Sequence, residues 1–153
     1  MVCFFVDSAS EKLLKIWDSK NSGEKMRHDI LSDVLSAIKN ADRVGKREVI
    51  VPASKLVKEV LMILQKTEYV GNFELVEDGR GNLFKIELSG KINNCGSIRP
   101  RYSAKSDEFE KYERRFLPAK DIGILIVSTS SGMMTFKDAK EKKIGGKMIA
   151  FIY

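Results

Sequence analysis

Four hydroxyl side chains in a row, Ser128-Thr129-Ser130-Ser131, end at Gly132 and follow the uncharged run Ile122-Gly123-Ile124-Leu125-Ile126-Val127. Hydroxyls donate and accept hydrogen bonds, so a row held by a stiff element can read sugar, phosphate and base edges. The β-branched run suits a strand buried on both faces, and the hydroxyls with Gly132 suit the turn at its end. The plainer reading of the same residues is a turn whose hydroxyls bond only to their own backbone.

Three further groups have anion-binding chemistry. Arg99, Arg101 and Tyr102 sit in the irregular basic stretch 97–102. Guanidinium forks pair with phosphate oxygens, and an exposed ring stacks on an unpaired base. Their alternative is a loop that only solubilises. Lys55 follows Ser54 at an expected helix cap, where an ammonium and backbone donors would meet a phosphate together; a solvated lysine beside a cap is the commoner fact. Asp29 opens the preceding helix and Lys39 and Asn40 end it, and there the alternative is a plain dipole-matched terminus.

Catalytic chemistry has thin support. Ile126 stands two residues before Ser128, where a glycine is required, so the turn is not the G-x-S-x-G of a hydrolase elbow. The single histidine, His28, lies far from the serines in sequence, which leaves a Ser-His-acid triad without a natural base. Gly145-Gly146-Lys147 is followed by Met148 and lacks the spacing of a phosphate-binding P-loop. One histidine and two cysteines, Cys3 and Cys95, make neither a zinc site nor a disulfide framework, and fit a reducing compartment. No cofactor, metal or small-molecule substrate is expected.

The chain has 153 residues, 27 Lys and Arg against 21 Asp and Glu, and a net charge of +6. Residues 1–25 carry four of each sign, so the whole excess lies on 26–153 and points to an anionic partner. The apolar start Met1-Val-Cys-Phe-Phe-Val6 is too short and lacks the positive charge of a secretory signal, and no run approaches a membrane span. A cytoplasmic protein is expected, with no membrane partner.

The elements that must hold these groups follow from periodicity. Ser8-Ala-Ser-Glu11 has capping-box spacing ahead of Leu13, Leu14 and Trp17, either a docking helix or an appended segment translated from an early start. Ile30, Leu31, Val34, Leu35 and Ile38 share a helical face; Glu48–Val51 reads as a strand; Leu56, Val57, Val60, Leu61 and Leu64 stripe a second helix. Phe73–Glu77 and Leu83–Leu88 form a hairpin through 78–82. Gly90–Gly96 is the expected hinge. Ser106 opens a short helix presenting Phe109, Tyr112 and Phe116 and ending at Pro118. The chain closes with the strand and hydroxyl turn, a helix from Thr135 to Lys143, and a strand from Lys147. This predicts an α+β protein. A 1–25 extension precedes a 26–89 half (helix-strand-helix-strand-strand) and a mainly β 90–153 half with a short helix, the halves packed together.

The stretch Gly123-Ile-Leu-Ile-Val-Ser-Thr-Ser-Ser-Gly-Met-Met, followed by Gly145-Gly146 and a terminal strand, resembles ribosomal protein eight of the small subunit. The resemblance extends through Val51-Pro-Ala-Ser-Lys-Leu56, Glu77-Asp-Gly-Arg80 and Gly90-Lys-Ile-Asn-Asn-Cys-Gly96, in archaeal and eukaryotic wording, from about Met26 onward. It implies a primary binder of small-subunit ribosomal RNA that helps the central region fold and assemble, sits beside other small-subunit proteins, and is not an enzyme. By resemblance Ser128, Thr129, Ser130 and Gly132 contact the RNA core, while Asp29–Asn40 and Ser54-Lys55 face a second RNA helix. Bacterial members carry Gly-Gly-Glu before the last strand where this chain has Lys147. Two rival roles are a regulator of its own messenger RNA and, remotely, a serine hydrolase.

Overall fold

The computed structural model describes residues 29–77, 82–120 and 122–153. The extension over 1–25, with its Leu13, Leu14 and Trp17 helix, and most of the 78–82 turn lie outside the described residues. Helix α1 (Ile30–Arg43) and helix α2 (Lys55–Lys66) flank strand β1 (Glu48–Pro52). Both helices bury most of the stripes read from their period: Leu31, Val34, Leu35 and Ile38 on α1; Val57, Val60, Leu61 and Leu64 on α2. The first residue of each stripe stands at the open end of its helix, so Ile30 is exposed and Leu56 half-buried. Strands β2 (Val70–Glu77) and β3 (Asn82–Leu88) complete an antiparallel sheet in the order β1-β3-β2. Its inner face, including Val51, Phe84 and Ile86, packs under the two helices.

The second sheet runs β4-β8-β6-β7, with β5 also on β8: β4 (Cys95–Ser97), β5 (Ser103–Ala104), β6 (Ile124–Thr129), β7 (Gly132–Thr135) and β8 (Gly146–Ile152). A 3₁₀ turn (Ser106–Glu108) leads into helix α3 (Phe109–Phe116), and helix α4 (Phe136–Glu141) follows β7. One face of this sheet joins the helices' core through Ile126, Ala150 and Ile152. The other closes a second core with Phe109, Leu117, Phe136 and Ala139 through Leu125, Val127 and Met148. Leu125, Ile126 and Val127 are therefore buried on both faces of one strand, as their uncharged run predicts.

Boundaries differ from the sequence expectation where tertiary contacts decide them. Strand β6 begins at Ile124 rather than Ile122, because Gly123 turns the backbone at φ +91° and leaves Ile122 exposed. Helix α1 continues to Arg43, so Asn40 opens its last turn, where its carbonyl accepts from Val44 N, and Lys39 lies just before that turn. The helix expected over Thr135–Lys143 shortens to α4, with Thr135 as its cap accepting from Asp138 N at 3.3 Å. Strand β7 was not expected; pairing with β6 draws Met133 and Met134 into the sheet.

The 90–96 segment, read as a hinge, is fastened at several points. The Asp42 carboxylate accepts from Gly90 N at 3.1 Å and Ile92 N at 3.2 Å. Both Asn93 N and Asn94 N donate to Tyr153 O at 2.8 Å. Cys95 is buried and donates to Leu35 O at 3.3 Å, and burial pushes its thiol up to about 11.

Candidate nucleic-acid interface

Strand β8 carries a β-bulge: Ile126 pairs with Ala150, but the next residue, Val127, pairs with Met148. The skipped Ile149 reverses which face each earlier residue of β8 occupies, since side chains alternate along a strand. Met148 therefore turns into the second core, while Lys147 stands opposite Ser128. Across β8's other edge Lys147 pairs with Ser103, and Ser128 pairs with Met133. Ser103, Lys147, Ser128 and Met133 thus form one row over four strands, at the rim of the face that the helices cover.

Two glycines make this close packing possible. A Cβ on Gly146 would lie 2.6 Å from Val127 Cγ1, and one on Gly145 would lie 2.8 Å from Ala104 O. Without side chains there, β8 enters between β5 and β6, and an open groove of about 570 Å³ remains beside it. Ser128, Thr129, Ser130, Lys105, Glu108 and Lys147 are among its lining residues. Sequence reasoning missed Ser103 and Lys105 altogether. The Gly-Gly pair at a strand start was the available signal of close backbone approach.

Within the groove the hydroxyls divide. Thr129 Oγ1 donates to Gly132 O at 2.9 Å and accepts from Ser131 N at 3.2 Å, so it closes the hairpin. Gly132 permits the turn by taking φ +109°. Among the described residues the hydroxyls of Ser128, Ser130 and Ser131 have no hydrogen-bond partner, and the ammoniums of Lys105 and Lys147 have no ion-pair partner. Glu108 is turned back, its carboxylate accepting from Lys105 N at 3.2 Å. The groove therefore offers free hydroxyls and free cations on a fixed frame, which suits a phosphate-and-sugar ligand. Thr129→Val should lower stability by about 1 kcal/mol through two lost turn bonds, a loss that thermal melting would register.

The other site residues lie apart from this groove. Arg99 is ion-paired with Asp29, so two expected RNA contacts neutralise one another in the free protein. Arg101 is exposed. The exposed ring expected at Tyr102 is instead half-buried: it packs against Tyr112 at 5.7 Å between centroids, with the Arg115 guanidinium 5.4 Å over it. The ring packs against the second core, the cluster that holds Ile98 and Phe109. Ser54 occupies the cap position of α2 without a side-chain bond, leaving its hydroxyl free next to exposed Lys55. Ser54→Ala should therefore change the melting temperature little; a loss near the ~1 kcal/mol of a working cap would contradict this geometry. Packing of α2 on β7 puts this helix and the hydroxyl hairpin in contact.

Charge follows the same division. Residues 90–153 carry thirteen Lys and Arg against seven Asp and Glu, which accounts for the chain's entire +6. No helix among the described residues is long and apolar enough to cross a membrane. Among them no cluster of His, Cys, Asp and Glu could hold a metal ion.

Fold and groove together define a class: a basic α+β protein of two antiparallel sheets, with a rigid hydroxyl-and-lysine groove at the end of the second. The sequence matches the family described as ribosomal protein S8 over residues 29–153. It is 49% identical over 129 residues to the small ribosomal subunit protein uS8 of Thermoplasma volcanium, covering 84% of this chain and all of that protein. The uS8 protein of Thermoplasma acidophilum is similar to the same extent. The chain belongs to the ribosomal protein S8 family, as the resemblance read from its motifs implied, and to its archaeal side.

Proposed function

We propose that this protein is a structural constituent of the small ribosomal subunit that binds the central region of its RNA directly and helps that region fold. Its partners in this reading are ribosomal RNA and neighbouring small-subunit proteins, and it performs no chemical step. The observation that carries the direct contact is the groove, where Ser128 and Ser130 keep free hydroxyls beside unpaired Lys105 and Lys147. The hydroxyl hairpin meets the RNA core, and Ser54-Lys55 with α1 from Asp29 to Asn40 meets a second RNA helix. Arg99 and Arg101 add phosphate contacts, for which Arg99 exchanges Asp29 for an RNA oxygen. Tyr102 contributes through its exposed edge.

Lys147 changes what the groove can recognise. An ammonium is donor-only, so it favours a phosphate or a base acceptor where a carboxylate would have required a donor. The test is competition between an in vitro transcript of the central region of small-subunit ribosomal RNA and a scrambled transcript of equal length. Preference for the central-region transcript at every salt concentration is expected. Equal affinity for both would leave only a basic surface.

A further inference from the structure

We propose that the tip joining α1 to β1, Arg43-Val44-Gly45-Lys46-Arg47, is a further RNA grip that holds the phosphate backbone of a helix without reading its sequence. The inference rests on the RNA-binding reading above and adds to it a surface remote in sequence from the hydroxyl groove.

The tip gathers three cations within five exposed residues. Arg43, Lys46 and Arg47 have no ion-pair partner among the described residues. The neighbouring carboxylates are occupied or turned aside: Asp42 accepts from the backbone of Gly90 and Ile92, and Glu48 pairs with Lys85 at 3.0 Å. Glu87, opposite Glu48 on β3, is the remaining nearby acid.

The tip is also held at both ends. Gly45 N donates to Asp42 O at 2.9 Å and Lys46 N to Ala41 O at 3.0 Å, closing the helix end through Gly45 at φ +74°. On the far side Leu88 N donates to Arg47 O at 2.9 Å. Asp42 fastens the helix end to the 90–92 segment. The backbone carrying the cations is thus ordered before any ligand arrives, which lowers the ordering cost of binding. At the apex Val44 is 73% exposed, the most exposed large apolar side chain among those described. A small apolar knuckle between cations fits the wide, shallow minor groove of an RNA helix, whose flanking phosphates the cations then reach.

Phosphate contacts carry no sequence information, so the tip and the hydroxyl groove should separate cleanly in binding experiments. The triple variant Arg43→Gln, Lys46→Gln, Arg47→Gln is compared with the parent protein on the central-region and scrambled transcripts across a salt series. Losing three phosphate contacts should reduce the magnitude of the log–log salt slope by about 2 to 3. Both transcripts should weaken by a similar factor, with their ratio kept and the melting temperature unchanged. A folded variant with the parent's slope would overturn the proposal. So would a collapsed ratio at constant slope, which would make the tip a sequence reader, or normal RNA binding combined with loss from assembled subunits, which would make it a protein contact. Failure of the RNA-binding reading looks different: the parent itself would not distinguish the two transcripts.

Discussion

Gly123→Ala should lower the stability of the protein by about 3 kcal/mol, because two independent costs meet at one position. At φ +91° an alanine is strained, which costs about 1–3 kcal/mol. Its Cβ would also lie 2.6 Å from Ile152 O, 2.7 Å from Tyr153 Cβ and 2.9 Å from Leu117 Cδ2. Two of these atoms belong to the end of the chain, where Tyr153 is tied to 93–94, so they cannot withdraw cheaply. Overpacking of this kind adds about 1–3 kcal/mol. A melting temperature lower by roughly 10 °C should follow in calorimetry. Gly90→Ala is the control, since it shares the left-handed backbone at φ +70° but has open space where the methyl would go. It should cost about 1 kcal/mol. Equal losses in the two variants would show that the contacts around Gly123 are not tight.

Ser130→Ala carries the largest expected effect on binding. Its hydroxyl is free and exposed on a two-residue turn between paired Thr129 and Gly132, while Thr129 alone supplies the turn's side-chain bonds. Removing the Ser130 hydroxyl should therefore leave the fold intact. If that hydroxyl reads a base edge, the change should cost about 1–3 kcal/mol against the central-region transcript and little against the scrambled one. Lys55→Ala should weaken both transcripts more evenly and flatten the salt slope, as a phosphate contact does. The two variants need melting and binding measured side by side. A Ser130→Ala protein that melts early yet binds normally would make the hairpin a turn and not a reader.

The helices were legible because each buries a face of period 3.6 that needs only one chemically uniform surface opposite it. Leu31, Val34, Leu35 and Ile38 announce α1 whatever they pack against. The short strands were not, since β4 and β5 run three and two residues and exist only through pairing with β8. Met133 and Met134 have no strand pattern of their own and join the sheet through β6. The hydroxyl row was visible from composition, but its division into one structural and three free hydroxyls depends on turn geometry. Lys147's place opposite Ser128 depends on the bulge at Ile149, which nothing in the residue alternation of 146–152 marks. Tyr102 misled for a similar reason: its basic flanks read as surface, whereas Tyr112 and Arg115 on the following helix cover its ring.

Sedimentation of the native protein after a high-salt wash tests the proposed role most directly. Loosely held basic proteins leave the ribosome when salt screens their phosphate contacts. A protein bound through held hydroxyls as well as cations should stay with the small subunits through the wash and co-sediment with them. Release into the free-protein fraction at moderate salt, with intact subunits left behind, would contradict a primary RNA-binding role.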